Sequence, residues 1–199
     1  MNTFNSRLAR LRALLLVALV ALVALPLVTV AHAAVQRREH LTEEETDMVR
    51  VTQALDQRIA VFIKIAERRV DVVTGVAAST PALVAKDAEK WGALPKGTRA
   101  QLLGDIARIL DEAINNIDDV AARTPDSSLV PKSLRRLSEA SAQFLPQLAA
   151  LRTGTAAENE REALEQAIDN LEEIIEAAKR LPTETTEKKD EKKGEKKKN

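Results

Sequence analysis

The sequence predicts an all-α protein: an antiparallel up-down bundle of about four long helices plus one short helix, with a disordered C-terminal tail. Three observations support this fold class. Apolar residues recur three or four positions apart through four long segments. Residue types that begin or end helices bound these segments. No segment alternates polar and apolar residues with the period of two that marks a strand.

Residues 1–33 are predicted to be a secretory signal peptide. Three arginines precede an apolar run at residues 13–25, and a small-x-small pattern predicts cleavage after Ala33. The alternative is an N-terminal membrane anchor, because uncharged residues continue to Gln36 and about 20 apolar residues can span a bilayer. Pro26 favours cleavage, because proline ends the apolar helix early.

Composition excludes several functions for the exported part. The chain of 199 residues has 30 basic and 30 acidic side chains, and three arginines leave with the signal peptide, so a net charge of −3 remains. That charge does not indicate nucleic-acid binding. The absence of cysteine excludes disulfides and thiolate zinc sites. Aromatic residues make up 2% of the chain, which argues against a base-stacking or sugar-stacking site.

The helical domain is predicted to span residues 42–182, after a flexible segment at 34–41. Its first long helix begins at a capping box, Thr42 to Glu45, and ends near Gly75. The apolar stripe of this helix continues without a break. It comprises Met48, Val51, Leu55, Ile59, Phe62, Ala66, Val70 and Val73.

A short helix is predicted over PALVAKDAEKW, with Pro81 in its first turn and Ser79 or Thr80 as its cap. The stretch WGALPKG is then predicted to be a loop. Trp91, the only tryptophan, is interpreted as an anchor that pins this loop over the end of the bundle, and the alternative is a contact for a ligand or partner.

The second long helix is predicted to start at the capping box Thr98 to Gln101 and to end at Arg123. Its apolar residues keep a strict alternation of three and four, the period of coiled-coil packing. They are Leu103, Ile106, Leu110, Ala113, Ile117 and Val120.

The third long helix is predicted to begin at Pro131 and to end at a C-terminal cap, Gly154. Pro146 lies inside it and is predicted to kink it, which can open room between helices. Its stripe is Leu134, Leu137, Ser141, Phe144, Leu148 and Leu151.

A third capping box, Thr155 to Glu158, is predicted to open the last helix, which Pro182 ends. Short links between these helices are expected to make consecutive helices antiparallel neighbours. The last stripe is Leu164, Ala167, Leu171, Ile174, Ala178 and Leu181.

Residues 183–199 have no large apolar side chain and are predicted to be disordered. With seven lysines and five acids, this tail has a charge of +2, and the remaining exported part has −5. One interpretation is weak electrostatic contact with anionic lipid or wall polymer. The interleaved acids favour the other interpretation, a solubilising tail.

No catalytic, cofactor-binding or metal-binding residue is assigned from the sequence. His40 is the only histidine outside the signal peptide, and it is predicted to be a solvated residue near a terminus. Acidic residues of the second long helix can be interpreted as a solvated flank, because three of them recur every seven residues beside the apolar stripe. The alternative is an all-carboxylate magnesium or calcium site. Its candidate ligands are Asp105, Asp111, Glu112, Asp118 and Asp119.

The stretch LTEEE at Leu41 resembles the LTxxQ-like motif that opens exported, periplasmic helical chaperones and stress sensors. Glutamate stands at Glu44 and Glu45 where that motif has glutamine, and the similarity ends near Gln53. The wider pattern of LTEEE, KWGALP, INNIDDVAAR and FLPQL is similar to uncharacterised exported all-helical bacterial proteins. This resemblance implies export and a helical fold, and no function.

The sequence favours a non-enzymatic, exported helical bundle that binds or scaffolds other macromolecules in the cell envelope. The expected partner is an envelope protein of unknown identity, and no cofactor is expected. One alternative is an envelope chaperone that holds unfolded chains on exposed apolar helix faces. The other is a metal-dependent or carboxylate-dependent hydrolase. The heptad spacing is compatible with a monomer or a dimer.

Overall fold

A computed structural model describes residues 39–155 and 157–182. Within these residues the chain forms seven α-helices, one 3-10 helix and no strand, which confirms the predicted all-α class. The predicted signal peptide, the cleavage site after Ala33 and the C-terminal tail lie outside the described residues. The elements are α1 (Glu43–Val51), α2 (Leu55–Thr74), α3 (Val76–Ser79), α4 (Pro81–Trp91), α5 (Arg99–Arg123), α6 (Leu129–Ala149), the 3-10 helix (Ala150–Gly154) and α7 (Glu158–Lys179).

Four long helices, α2, α5, α6 and α7, form the bundle. Lys132 at the start of α6 lies 2.8 Å from the carboxylate of Asp56 at the start of α2, so these two helices run in the same direction. Arg99 and Glu160 pair at 3.2 Å near the starts of α5 and α7, which are also parallel. Arg58 near the start of α2 donates to Asn116 in the last third of α5 at 3.0 Å, so α2 and α5 are antiparallel. Successive long helices therefore alternate in direction, and the predicted up-down bundle is confirmed.

The order of helices around the bundle differs from the expectation at one point. Helix α2 packs mainly on α5 and α6, and α7 packs on the same two, so α5 and α6 lie across the diagonal. The expectation that consecutive helices are always neighbours is therefore wrong for this pair. A diagonal of about 14 Å follows from neighbours about 10 Å apart. The link at residues 124–128 can reach about 17 Å when extended.

The predicted apolar stripes form the core. From Leu103 to Ile117 every predicted stripe position of α5 is at most 2% exposed, and the same holds for α7 from Leu164 to Ile174. Val51 is the exception in the first stripe, with 69% of its surface exposed. No helix among the described residues combines the length and apolar character that a membrane span needs.

The first long helix is not continuous, and that prediction is wrong. Helix α1 ends at Val51, and α2 begins at Leu55. Polar side chains bind the backbone at the break: the hydroxyl of Thr52 donates to the carbonyl of Met48 at 2.7 Å, and Arg58 Nε donates to the carbonyl of Thr52 at 2.8 Å. Such side-chain bonds compete with the backbone hydrogen bonds of a helix and stabilise the end of α1 at this point.

The break allows α1 to fold back along α2. Glu45 in α1 contacts Arg69 near the end of α2 at 2.7 Å. In one unbroken helix these residues would be about 36 Å apart, at 1.5 Å per residue. An uninterrupted apolar periodicity therefore concealed a reversal of the chain.

Two of the three predicted capping boxes are confirmed. Thr42 and Thr98 each accept from the third backbone N–H of the following helix, and the third side chain bonds back to the cap. The third box is wrong, because α7 begins at Glu158 with Ala157 as its cap residue. The hydroxyl of Thr155 instead donates to a carbonyl of the preceding 3-10 helix, that of Leu151, at 2.8 Å.

Of the smaller local predictions, some are confirmed and others are wrong. Gly75 ends α2 in the left-handed region, at φ +82°, as predicted. The side chains of Ser79 and Thr80 do not cap α4; both bond to carbonyls of the preceding turn. Gly154 does not form a left-handed cap, because it belongs to the 3-10 helix. Helix α6 continues through Pro146, and the predicted kink stays a prediction.

Candidate functional site

Four charged side chains are buried together where α1 lies against the bundle. They come from three helices: Glu45 from α1, Arg68 and Arg69 from α2, and Asp105 from α5. Each is at most 1% exposed. We call these four residues the buried ion cluster. Two cations and two anions balance, so the cluster carries no net charge when all four are ionised.

Glu45 is the centre of the buried ion cluster. One of its oxygens accepts from Arg68 Nη1 at 2.6 Å and from Arg69 Nη1 at 3.1 Å. The other accepts from Arg69 Nη2 at 2.7 Å and from the backbone N–H of Thr42 at 3.0 Å. The capping glutamate of α1 therefore also forms ion pairs with two arginines of α2. The closest approach between Asp105 and Arg69 Nε is 3.9 Å.

The same arginines hold two chain segments outside the long helices. Arg68 Nη2 donates to the carbonyls of Gly92 at 2.9 Å and Ala93 at 2.7 Å, in the loop after α4. Arg69 Nη2 donates to the carbonyl of His40 before α1. The buried ion cluster thus fastens the N-terminal helix and this loop to the bundle.

The chemistry of the buried ion cluster is structural. A guanidinium stays protonated at any physiological pH, so neither arginine can exchange a proton with a substrate. Removal of one partner from a buried pair leaves an uncompensated charge, which costs about 3–5 kcal/mol. The arrangement therefore holds these segments of the fold together, and neither guanidinium can act as a general acid or base.

Sequence reasoning missed this cluster and misplaced Asp105. The prediction that Asp105 belongs to a solvated acidic flank is wrong, since its exposure is 0%. A signal was present: Arg69 stands four residues after Ile65 and three after Ala66, on the apolar face of its helix. A charge at such a position requires a buried partner.

The prediction of a solvated His40 is also wrong. Its side chain is 20% exposed, and Nε2 lies 3.0 Å from a carboxylate oxygen of Glu112 in α5. Glu112 is itself 40% exposed. The pair joins the segment before α1 to the bundle, at the border of the buried ion cluster.

The candidate metal ligands of α5 do not converge. Asp119 is exposed and pairs with Arg123 at 3.2 Å. Asp105 and Glu112 belong to the contacts described above. No group of three potential metal ligands exists among residues 39–155 and 157–182.

Asp111 and Asp118, the remaining two candidates, lie on one groove. This groove runs between the parallel helices α5 and α7 and has a volume of about 230 Å³. Glu173 of α7 is the third acid on its rim. Its aliphatic wall consists of Leu110, Ile114, Ile117, Leu134, Ile174 and Ala177. We call this feature the acidic groove.

Asp111 is held in position on the rim of the acidic groove. One of its oxygens accepts from Asn170 Nδ2 at 2.8 Å, and the same amide donates to the carbonyl of Ala107 at 3.1 Å. Partial burial raises the pKa of Asp111 above its ordinary value, Asn170 opposes this shift, and the charge of Glu173 adds to it. A cation placed here would relieve that repulsion.

Trp91 and Pro146 belong to neither feature. Trp91 is the last residue of α4, is 7% exposed and packs in the core, with Lys90 Nζ 5.3 Å from its ring centroid. Its role as an anchor of the following loop stays a prediction. Pro146 is exposed on α6 and does not line the acidic groove.

No protein-family model matches the chain, and comparisons with curated proteins and with solved structures give no match either. No residue role is therefore carried over from a relative. The resemblance of LTEEE to LTxxQ-like motifs stays a prediction.

Proposed function

We propose that this protein is a non-enzymatic binding module of the cell envelope, exported after cleavage near Ala33. The acidic groove supports this proposal most directly. It presents an aliphatic surface beside three carboxylates, of which Asp111 is held in position by Asn170, and binding sites use this combination for affinity and orientation.

The buried ion cluster supports the same proposal indirectly. Glu45 accepts from both arginines, Arg68 also donates to a backbone carbonyl, and Asp105 lies 3.9 Å from Arg69. These groups therefore serve the fold. Asp111, Asp118 and Glu173 of the acidic groove are exposed, and among them Asp111 bonds to a neighbouring helix, through Asn170.

An envelope chaperone is the alternative with a specific observation behind it. Three large apolar side chains of the described region are well exposed: Val51, Val76 and Leu83. They are single residues on three different helices, whereas a holdase needs a continuous apolar surface. An assay of aggregation suppression tests this alternative, which predicts an effect at stoichiometric protein.

The binding function is tested by site-specific photo-crosslinking in cells that express the full chain. A photoreactive residue at Glu173 faces the acidic groove, and one at the neighbouring Glu172 is exposed away from it. We expect a discrete adduct from position 173 and none from position 172. The absence of any adduct from both positions would contradict the proposal.

Export is tested on the same material. Cleavage after Ala33 predicts that the protein recovered from the envelope fraction begins at Ala34. A chain that still carries residues 1–33 would favour the membrane-anchored alternative.

A further inference from the structure

The size of the acidic groove determines what class of ligand it takes. Its volume of about 230 Å³ is below the roughly 300–1,000 Å³ of clefts that enclose a drug-sized molecule. Its walls are two parallel helices, closed from below by Leu134 of α6. Such a groove accommodates a few side chains of a larger partner.

The charge of the acidic groove determines the sign of that partner. No lysine or arginine lines it, and within residues 39–155 and 157–182 no basic group forms an ion pair with Asp111, Asp118 or Glu173. The three carboxylates beside the aliphatic wall are therefore available to pair with cationic groups of a ligand. A neutral or acidic ligand would leave this repulsion in place.

The spacing along α5 favours a helical partner. Asp111 and Asp118 are seven residues apart, which is two turns or about 10.5 Å. A helix lying along the groove offers basic side chains at the same interval, while its apolar positions between them face the groove.

We infer that the acidic groove binds a cationic amphipathic helix of a partner protein. Aliphatic side chains of that helix enter between α5 and α7, and its lysines or arginines pair with Asp111, Asp118 and Glu173. This inference rests on the proposed binding function and names the chemistry of its partner. The protein's own segment 183–199 matches only half of the requirement, because it has seven lysines but no large apolar residue.

The test uses protein purified from cells that express the full chain, and a fluorescent helical peptide of about 18 residues, long enough to form a helix in isolation. The probe has leucines on one face and lysines at its borders. A second peptide carries glutamate in place of each lysine. Fluorescence anisotropy measures the dissociation constant of each.

Two kinds of variant examine the two parts of the groove. The rim variant combines Asp111→Asn, Asp118→Asn and Glu173→Gln, which removes three charges and retains the side-chain shapes. Ala177→Phe fills the groove without changing any charge.

A matched control removes the same charge from the outer face of α7. It combines Glu162→Gln, Asp169→Asn and Glu172→Gln, all exposed and outside the acidic groove. Circular dichroism verifies that every variant is folded, and the two independent groove variants keep the test decisive if one of them is not.

We expect the lysine peptide to bind the natural protein, and the glutamate peptide not to bind. The rim variant and Ala177→Phe should each weaken binding at least tenfold, and the outer-face control less than twofold. Equal weakening by the rim variant and the control would overturn the inference, because general charge would then suffice. An absence of binding to the natural protein at about 1 mM peptide would overturn it as well.

One further outcome identifies a different occupant. Replacement of the seven tail lysines by glutamine leaves peptide binding within twofold if the groove is open to a partner. Binding that appears only after this replacement would overturn the inference in favour of the tail.

Failure of the inference and failure of the proposed function give different results. A crosslinked partner at position 173 whose contact segment is acidic or uncharged would overturn the cationic helix and leave the binding function intact. The lack of both a crosslink and peptide binding would contradict both.

Discussion

At one end of the bundle, two arginines and two carboxylates are buried together. Toward the other end, three carboxylates border a groove that no lysine or arginine of the described residues lines. Both features use α5, which contributes Asp105 to the first and Asp111 and Asp118 to the second. The difference lies in what faces each helix turn. Asp105 lies 3.9 Å from Arg69 of α2, whereas Asp111 and Asp118 line the groove together with an acid of α7, Glu173.

This contrast separates charges that hold the fold from charges available to a partner. A buried ion must be paired within the protein, because its desolvation is otherwise uncompensated. A rim carboxylate keeps part of its hydration and can remain without an ion-pair partner until a ligand binds. The same residue type on one helix can therefore have either role.

The largest predicted effect concerns the buried end. Glu45→Ala leaves Arg68 and Arg69 buried without their anion, and we expect the free energy of unfolding to fall by about 3–5 kcal/mol. Denaturation with urea, followed by circular dichroism, measures it. Glu43→Ala, two residues earlier in the exposed first turn of α1, should cost less than about 1 kcal/mol. Similar losses in both variants would mean that Glu45 acts only through its helix.

A smaller effect is predicted at the loop that the buried ion cluster holds. Gly92 has φ +69° and ψ −172°, a region that only glycine adopts easily, and an added Cβ would lie 2.7 Å from Cδ of Glu44. Gly92→Ala should destabilise the protein by about 1–3 kcal/mol. Gly154→Ala, with ordinary φ and open space around it, should stay within about 0.5 kcal/mol. Equal stability of both variants would show that the loop adapts.

The smallest predicted effect is the pH dependence of stability that Asp111 in the acidic groove causes. The pKa of Asp111 is raised by burial and by Glu173, so ionisation of Asp111 disfavours the folded state. The contribution of Asp111 to the stability of the fold is fully present below the ordinary pKa of 3.8, and it is lost as the pH rises through the pKa of Asp111 in the folded state. Asp111→Asn should therefore gain melting temperature relative to the natural protein at about pH 7, and this gain should shrink near pH 3.

Glu165 provides the control with the opposite sign. Its hydrogen bond with Arg152 lowers its pKa, so it contributes stability above its ordinary value of 4.5, and this contribution is lost as the pH falls through its folded-state value. Glu165→Gln should lose melting temperature at about pH 7 and lose less near pH 3. If both variants shift the melting temperature in the same direction, the assignment of unfavourable charge to the groove is wrong.

The sequence was most informative where one apolar stripe covers one helix. In α5 and α7 the spacing of three and four predicted the buried positions, because burial of a stripe depends on helical geometry alone. Thr42 and Thr98 were found as caps because a capping box is a local hydrogen-bond pattern.

The break after Val51 was not predictable in this way. The stripe from Met48 to Leu55 keeps helical spacing across it, and the reversal depends on Arg58 reaching back to Thr52 and on Glu45 meeting arginines some 24 positions away. The contacts of Glu45 are tertiary and override local propensity, and the Arg58 bond forms only once the chain has turned at Thr52. The acidic groove was missed for a related reason: Asp111 and Asp118 were considered as metal ligands, and their position opposite Glu173 depends on which helices become neighbours.

We assign a structural role to the buried ion cluster and a binding role to the acidic groove. Thermal denaturation of three proteins, with and without the lysine peptide, tests this assignment most directly: the natural chain, Glu45→Ala, and the rim variant. We predict that Glu45→Ala melts at a lower temperature yet is stabilised by the peptide as much as the natural chain is. The rim variant should melt no lower than the natural chain and show no stabilisation by the peptide. A rim variant that loses stability but retains the peptide effect would contradict the account.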